Sequence, residues 1–340
     1  MARLRIGVLY EHFWAEDETP TPGKRPRRQL PEKDVLEVHK ALKKLGHSAT
    51  YIRLDGTVES LHAVARRKVD LIFNLTESWA GDDTKDMNLA AYLELLGRPF
   101  TGSGSLGLAS GADKVLAKKI FEFHKIPTPN FATVWRGRME HAHDIQFPVI
   151  VKPAREDGSI GIPFSAYVES IKELMTRIDE LHAEFDTPVL VEEYIEGREI
   201  YVGVLGNRKP EALPPIELDL SKLPEGTPKI AGTEVKWERS TEAYRHTQPK
   251  VPDDLDEKTV TLLQETAVAA FQALGLRDYA RIDFRLDKKK RPFVLEVNPN
   301  PYLLSTAELS LSVKQTGRSY TDLIGEIIKS AAERYGLTIQ

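Results

Sequence analysis

The chain has no cysteine among its 340 residues. Disulfides, thiolate metal sites and cysteine nucleophiles are therefore excluded, and the absence fits a reducing compartment. It also lacks any run of about 18 apolar residues, so no membrane-spanning helix is expected. The histidines show no ligand spacing, and no histidine-based metal site is expected. Charge of one sign is scarce: 47 basic against 51 acidic residues leave a net charge of −4. That is too little for a general nucleic-acid or membrane-surface role. Internal repeats and low-complexity tracts are missing as well. Residues 1–10 lack the apolar core of a secretory signal and read as a first buried strand, so the expected location is cytoplasmic.

What is present is an ordinary globular composition, in a chain longer than one typical domain of about 100–200 residues. Two or three domains are expected. A strand at 5–10 is followed by a polar, proline-rich stretch, 11–32, that is too long for an ordinary connection. Asp34 is placed to cap a helix carrying Val35, Val38, Leu42 and Leu45 on one face, stopped by Gly46. Strands at 49–54 and 70–75 and helices at 58–67 and 87–96 complete a βαβα rhythm. This predicts a small parallel sheet covered by helices. A Gly/Ser cluster at 99–107 marks a domain boundary. A helix at 113–124 then offers Val115, Leu116, Ile120 and Phe123 as its inner face. Strands at 147–152 and 188–195 flank a glycine-containing loop and a helix at 170–184. Residues 210–252 read as irregular and polar, framing an opening. A helix at 256–274 leads into a hairpin, and a helix at 320–335 closes the chain.

That hairpin is the most informative feature. On its first strand Ala280, Ile282 and Phe284 face one way, and on its second Phe293, Leu295 and Val297 do, which makes an apolar face. The other face carries Arg281, Asp283 and Arg285 against Val294, Glu296 and Asn298. Pairing Asp283 with Glu296 sets Arg281 opposite Asn298. Two carboxylates about 5 Å apart across a ladder repel unless something positive lies between them. An Asp, a Glu and an Asn carbonyl are hard oxygen donors suited to Mg²⁺, which completes its shell with water and substrate phosphates. The alternative is a solvated face on which Arg281 and Arg285 pair with the acids.

Two further segments suit a nucleotide. The strand at 147–152 delivers Lys152 at its end, and the loop 154–161 supplies Gly158 and Gly161, which let backbone N–H groups turn toward a phosphate. The strand at 189–195 runs into a turn at Gly197, with Glu192, Glu193 and Glu199 available to an adenine amino group or ribose hydroxyls beside apolar walls. Both segments also read as surface features, a Lys-Pro strand end and an acidic strand end.

Together these elements resemble the ATP-grasp superfamily, in its D-alanine–D-alanine ligase branch. The resemblance runs through nearly the whole chain: Glu94-Leu-Leu-Gly-Arg-Pro-Phe-Thr-Gly-Ser-Gly104, Ala112-Asp-Lys114, Val151-Lys-Pro-Ala-Arg-Glu156, Glu192 to Glu199, Lys236, Arg281-Ile-Asp283 and Glu296-Val-Asn298. It implies an α/β and α+β architecture: an N-terminal Rossmann-like parallel-sheet domain over 1–102, then ATP-grasp lobes over 103–201 and 202–340. ATP would lie between the lobes. By position Lys114 and Lys152 would hold phosphates, Glu192 the adenine amino group, the backbone at Tyr194 and Ile195 the ring edge, and Glu199 the ribose, with Glu193 a further nucleotide-binding candidate. Lys236 would reach a phosphate from a mobile loop. Gly158, Ser159 and Gly161 would close over the γ-phosphate, and Arg281 would steady an acyl phosphate. Asp283, Glu296 and Asn298 would hold two Mg²⁺, or Mn²⁺ in their place. The implied activity is ligation of a small-molecule carboxylate to an amine through an acyl phosphate, releasing ADP and phosphate. By analogy with related ligases the chain would form a homodimer.

The substrate positions depart from the family. Its Glu–Ser–Tyr group aligns with Arg27, Gly158 and Trp237, and the serine that anchors the second substrate's carboxylate aligns with Ala307, next to Glu308. The family's Asn-x-x-Pro-Gly turn reads Asn298-Pro-Asn-Pro-Tyr302. This implies a substrate other than D-alanine. Arg27 and Arg28, in the basic cluster after the first strand, are candidates for an acidic substrate group or simply a solvated charge run. Glu77, at a strand's C-terminal end, and Tyr302 are further cavity candidates. Other functions compatible with the motifs are a small-molecule kinase on the same scaffold and an ATP-binding sensor without turnover.

Overall fold

The computed structural model describes residues 3–11, 31–156, 158–236, 238 and 241–338. Its first stretch carries β1 (Arg5–Glu11), α1 (Lys33–Lys44), β2 (Ser48–Leu54), α2 (Val58–Arg66), β3 (Leu71–Asn74), α3 (Asp86–Leu95) and α4 (Ser105–Ala112). A second carries α5 (Lys114–Phe123), β4 (Phe131–Trp135), β5 (Arg138–Ala142), β6 (Val149–Pro153), β7 (Tyr167–Val168), α6 (Ile171–Glu184) and β8 (Val189–Glu193). The third carries β9 (Gly197–Leu205), β10 (Glu211–Ala212), β11 (Ile216–Leu218), α7 (Thr233–Lys236), α8 (Glu242–His246), β12 (Pro249–Lys250), α9 (Glu257–Ala273), β13 (Tyr279–Asp287), β14 (Pro292–Pro299), α10 (Glu308–Gln315) and α11 (Tyr320–Tyr335). Among the described residues no helix is long and apolar enough to cross a membrane.

The N-terminal sheet is parallel, in the order β2-β1-β3. β1 is almost continuously apolar because both of its faces are covered. Ile6, Val8 and Tyr10 pack in one cluster with α1 and with Leu323, Ile324 and Ile328 of α11, while Leu9 packs in another with residues of α2, α3 and α4. The last helix thus belongs to the core of the first sheet. A Ser319–Asp322 capping box starts it, and Gly336, in the left-handed conformation at φ 66°, ends it.

The second sheet is antiparallel, β5-β4-β8-β6-β7, with α6 on one face. The third, also antiparallel, runs β12-β11-β9-β13-β14, with β10 beside β9. α9 and α5 cover its apolar face, where Ile200, Val202, Val204, Ala280, Ile282 and Phe284 meet Leu263, Ala267 and Phe271. The line between positions 201 and 202 falls inside β9, all of whose partners are in the third sheet. We propose Gly197 as the start of that lobe.

Several sequence readings need correction. Glu32, not Asp34, is the N-cap of α1; Asp34 sits buried in its first turn. The cluster at 99–107 is a turn only in part, since α4 begins at Ser105 and packs against β14. The 210–252 stretch holds β10, β11, α7, α8 and β12. On α5, Leu116 is 43% and Phe123 82% exposed, and the inward face carries Lys114, Val115, Ala117, Lys118 and Phe121. Apolar spacing misled there because two lysines occupy the buried stripe. The proline-rich stretch at 12–30 lies outside the described residues.

Candidate functional site

The second and third sheets form the walls of a cleft open to solvent. The expected register of the hairpin holds: Asp283 lies opposite Glu296 and Arg281 opposite Asn298. The alternation on β14 does not hold. The pairing slips between Asp283 and Phe284, so Phe284 faces Val294 and one extra β14 residue is inserted. The bulge sends Val294 into the core with Val297 and turns Leu295, expected inside, into the cleft next to Glu296. Phe293 is only half-buried and lies under the Arg291 guanidinium.

At one end of the cleft, Arg281 clamps Asp283 with two hydrogen bonds, 2.7 and 2.8 Å, reaches Glu308 at 3.2 Å and stacks on the Tyr201 ring. Lys114 approaches Glu296 at 3.4 Å and also donates to the Glu156 carbonyl. Burial pushes the Asp283 carboxyl up to about 6 against the pull of Arg281, with the Glu296 charge adding to the rise. Burial works the same way on Glu296, but Lys114, Lys236 and Lys152 overcome it and hold the carboxyl down at about 2. Glu296 therefore keeps the negative charge and Asp283 is the first to take a proton. The residue types are those magnesium takes, two facing carboxylates and an amide oxygen, with both Asp283 oxygens now accepting from Arg281 and Asn298 Nδ2 buried without a hydrogen-bond partner. Among the described residues no three acidic or histidine side chains form an ion site by themselves. An ion here would need ligands from a phosphate or water.

At the other end, Glu192 is buried between two lysines, with Lys152 at 2.6 Å and Lys118 at 2.8 Å. Burial favours its neutral form, yet the two cations prevail and hold the carboxyl below its ordinary value. Ile150, Ile162, Ile230 and Leu295 supply the apolar lining of this end. The Tyr194 N–H donates to the Pro148 carbonyl at 3.0 Å. Arg285, buried on β13, donates to the Ile195 carbonyl at 3.0 Å, the Lys229 carbonyl at 2.9 Å and the Tyr194 hydroxyl at 3.2 Å. It also lies 3.5 Å from Glu199, whose other oxygen accepts the Tyr201 hydroxyl at 3.0 Å. Glu193 lines the cleft and accepts the Gln146 N–H at 3.3 Å.

The loop after β6 turns sharply. Gly158, Ser159 and Gly161 all have positive φ, at 61°, 64° and 69°, conformations that glycine adopts without strain. The loop is docked on the segment before α7. Ser159 donates its hydroxyl to the Ala231 carbonyl at 2.8 Å, and the Thr233 hydroxyl donates back to the Ser159 carbonyl at 2.9 Å. Glu234 accepts the Phe164 N–H at 2.9 Å. Lys236 is thereby delivered to the cleft.

Of the expected site residues, the cleft brings together Lys152, Ser159, Glu192, Glu193, Tyr194, Ile195, Glu199, Lys236, Asp283 and Glu296. Lys114 joins them through Glu296, and Arg281 through Asp283. Arg27, Arg28 and Trp237 lie outside the described residues. Glu77 and Tyr302 are elsewhere, at the C-terminal edge of the first sheet. There the Glu11 carboxylate accepts the Glu77 and Ser78 N–H groups at 2.7 and 2.9 Å. Burial pushes the Tyr302 hydroxyl up to about 12, helped by the charges of Asp34, Glu32, Glu77 and Glu37. The described wall of that region is acidic. Sequence reasoning missed Lys118, Arg285 as a clamp, and Leu295. Lys118 was detectable as the residue one helical turn after Lys114, whereas the bulge that places Leu295 had no local signal.

Residues 120–329 match the family model described as the D-ala D-ala ligase C-terminus. The chain is 35% identical over 321 residues to a Sinorhizobium fredii protein named "Uncharacterized protein y4sG", covering 92% of each. It is 33% identical over 307 residues to the D-alanine–D-alanine ligase of Aquifex aeolicus, covering 90% of this chain and 97% of that one. The crystal structure of D-alanine–D-alanine ligase from Bacillus anthracis complexed with ATP superposes with a TM-score of 0.75 at 23% identity, over 99% of both chains.

Proposed function

The chain belongs to the D-alanine–D-alanine ligase family and has its ATP-grasp fold, and from that premise we propose that it joins a carboxylate to an amine other than D-alanine, at the expense of ATP. The carrying observation is that one cleft brings an apolar lining beside Glu192 together with the facing carboxylates Asp283 and Glu296, next to which Asn298 stands on β14, and with Lys152 and Lys236. In this reading the base lies between Ile150, Ile162, Ile230 and Leu295. Its amino group donates to Glu192. The Tyr194 N–H and the Ile195 carbonyl are engaged within the protein, which leaves the Ile195 N–H as the backbone donor offered to the ring edge in this reading. Glu199 takes the ribose hydroxyls, and Lys114, Lys152 and Lys236 surround the phosphates. Asp283, Glu296 and Asn298 would hold magnesium, which when bound supplies charge at the transferring phosphoryl oxygens.

A free carboxylate is a poor acyl donor, because its leaving group would be an oxide. Phosphoryl transfer makes an acyl phosphate that an amine attacks, expelling phosphate. The protein's contribution is positioned positive charge and exclusion of water. The docked loops at 158–161 and 231–236 supply the cover. Arg281, a buried cation paired with Asp283 and Glu308, would offset charge developing on the acyl group.

The substrate difference is supported at α10. Ala307 stands at its N-cap with no side-chain hydrogen bond, and the adjacent Glu308 reaches Arg281. An acid there works against an incoming carboxylate. The test is ADP and phosphate release with Mg²⁺–ATP across amino acids, dipeptides, dicarboxylic acids and simple amines, with product mass. Turnover that requires one acid–amine pair and yields their amide supports the proposal. D-alanine alone driving turnover overturns the substrate claim, and ADP with a phosphorylated product instead of free phosphate overturns ligation.

A further inference from the structure

One fully enclosed lysine has no part in the reading above. The Lys118 side chain is 1% exposed, and its Nζ meets Glu192 Oε2 at 2.8 Å, donates to Thr128 Oγ1 at 2.7 Å and lies 5.7 Å from the centre of the Phe131 ring. The Thr128 hydroxyl passes on to the Val294 carbonyl at 2.8 Å, and the Val294 N–H donates to the Pro127 carbonyl at 2.8 Å. Val294 is the residue before the bulge that turns Leu295 and Glu296 into the cleft. Burying an ammonium group is costly unless it is paired. Glu192 already has a partner in Lys152, at 2.6 Å from Oε1, so charge balance alone does not call for a second cation.

The geometry supplies the reason. With one lysine, a carboxylate rotates freely about its contact and settles onto that lysine. Lys152 lies on Oε1 and Lys118 on Oε2, so each oxygen faces its own cation; the Lys118 contact is a close ion pair, and Oε2 accepts no aligned hydrogen bond. Each oxygen still has a lone pair for another donor. The same ammonium ties Glu192, on β8 of the second sheet, through Thr128 to β14 of the third.

We propose that Lys118 is a positioning residue for recognition of the nucleotide base. By holding the second oxygen of Glu192 it aims the acceptor that distinguishes an exocyclic amino group from a carbonyl, and through Thr128 it keeps that acceptor in register with the bulge bearing Leu295. The proposal rests on the nucleotide reading of the cleft.

The experiment titrates Mg²⁺–ATP and Mg²⁺–ITP, whose base carries a carbonyl where adenine carries an amino group, into the wild type, Lys118→Met and Thr128→Val by calorimetry. The ratio of the two dissociation constants does not depend on the fraction of folded protein, so a merely structural role leaves it unmoved. The wild type is expected to prefer ATP at least tenfold, with the preference cut at least fivefold in Lys118→Met and at least twofold in Thr128→Val. A wild-type ratio retained by folded Lys118→Met, or by Thr128→Val should the former not fold, overturns the proposal. Equal binding of both nucleotides by the wild type also overturns it. A wild type that binds neither nucleotide overturns the underlying reading of the cleft.

Discussion

Replacing Arg285 by methionine tests how the base end of the cleft is held. Arg285 is 3% exposed and links β13 to two carbonyls on separate segments, Ile195 at 3.0 Å and Lys229 at 2.9 Å, besides the Tyr194 hydroxyl. A hydrogen bond from a charged donor contributes roughly 1.5–3 kcal/mol, and its loss leaves a buried acceptor unsatisfied. Two such bonds amount to about 3–6 kcal/mol. Methionine keeps part of the apolar packing over Tyr194, so the expected net loss is about 3–5 kcal/mol. The acid next to it, Glu199, keeps only the Tyr201 hydroxyl. Urea unfolding followed by tryptophan fluorescence reads the effect, with each transition fitted separately because a chain with several sheets need not unfold in one step. Arg285→Lys, which keeps the charge and loses the fork, should fall between the two. Mg²⁺–ATP affinity should weaken at least tenfold in Arg285→Met, because the Tyr194–Ile195 backbone is no longer clamped. A loss below about 1 kcal/mol with unchanged affinity would refute the reasoning.

Glu296→Gln and Asp283→Asn should each lower Mg²⁺-dependent ADP release by more than 100-fold while circular dichroism stays native; near-wild-type turnover in either would contradict the metal assignment. Burial raises the Glu11 carboxyl to about 7 against its two N–H donors. The folded state therefore holds a proton that the unfolded state has lost above the ordinary carboxylate range. Stability is fully present below pH 4.5 and is lost as pH rises through 7, by about 3 kcal/mol for that shift. Glu11→Gln should flatten the pH dependence of unfolding between 5 and 8; an unchanged slope would count against it. Gly161→Ala places a side chain at positive φ about 3 Å from Pro153 and Phe185, and should cost roughly 1–3 kcal/mol by the combined strain and overpacking. A melt indistinguishable from the wild type would show that the loop can relax.

Local pattern determined a good deal of this protein. The helix at 320–335 and the facing of Asp283 by Glu296 follow from residues near one another in the chain, where periodicity and register act. Motif order likewise grouped Lys152, Glu192 and Glu199, which line one cleft. What the chain pattern did not contain was anything set by a partner from elsewhere. Lys118 looks like a solvent-facing residue until Glu192 arrives from β8, and Phe123 looks like core until the third sheet takes the opposite face of α5. Val294 and Leu295 exchange places because a bulge is decided by how two strands and the 127–128 segment meet. A period of two or of 3.6 records which residues share a face. Which face is buried, and which charges it can afford to bury, depends on the long-range contacts that complete the core.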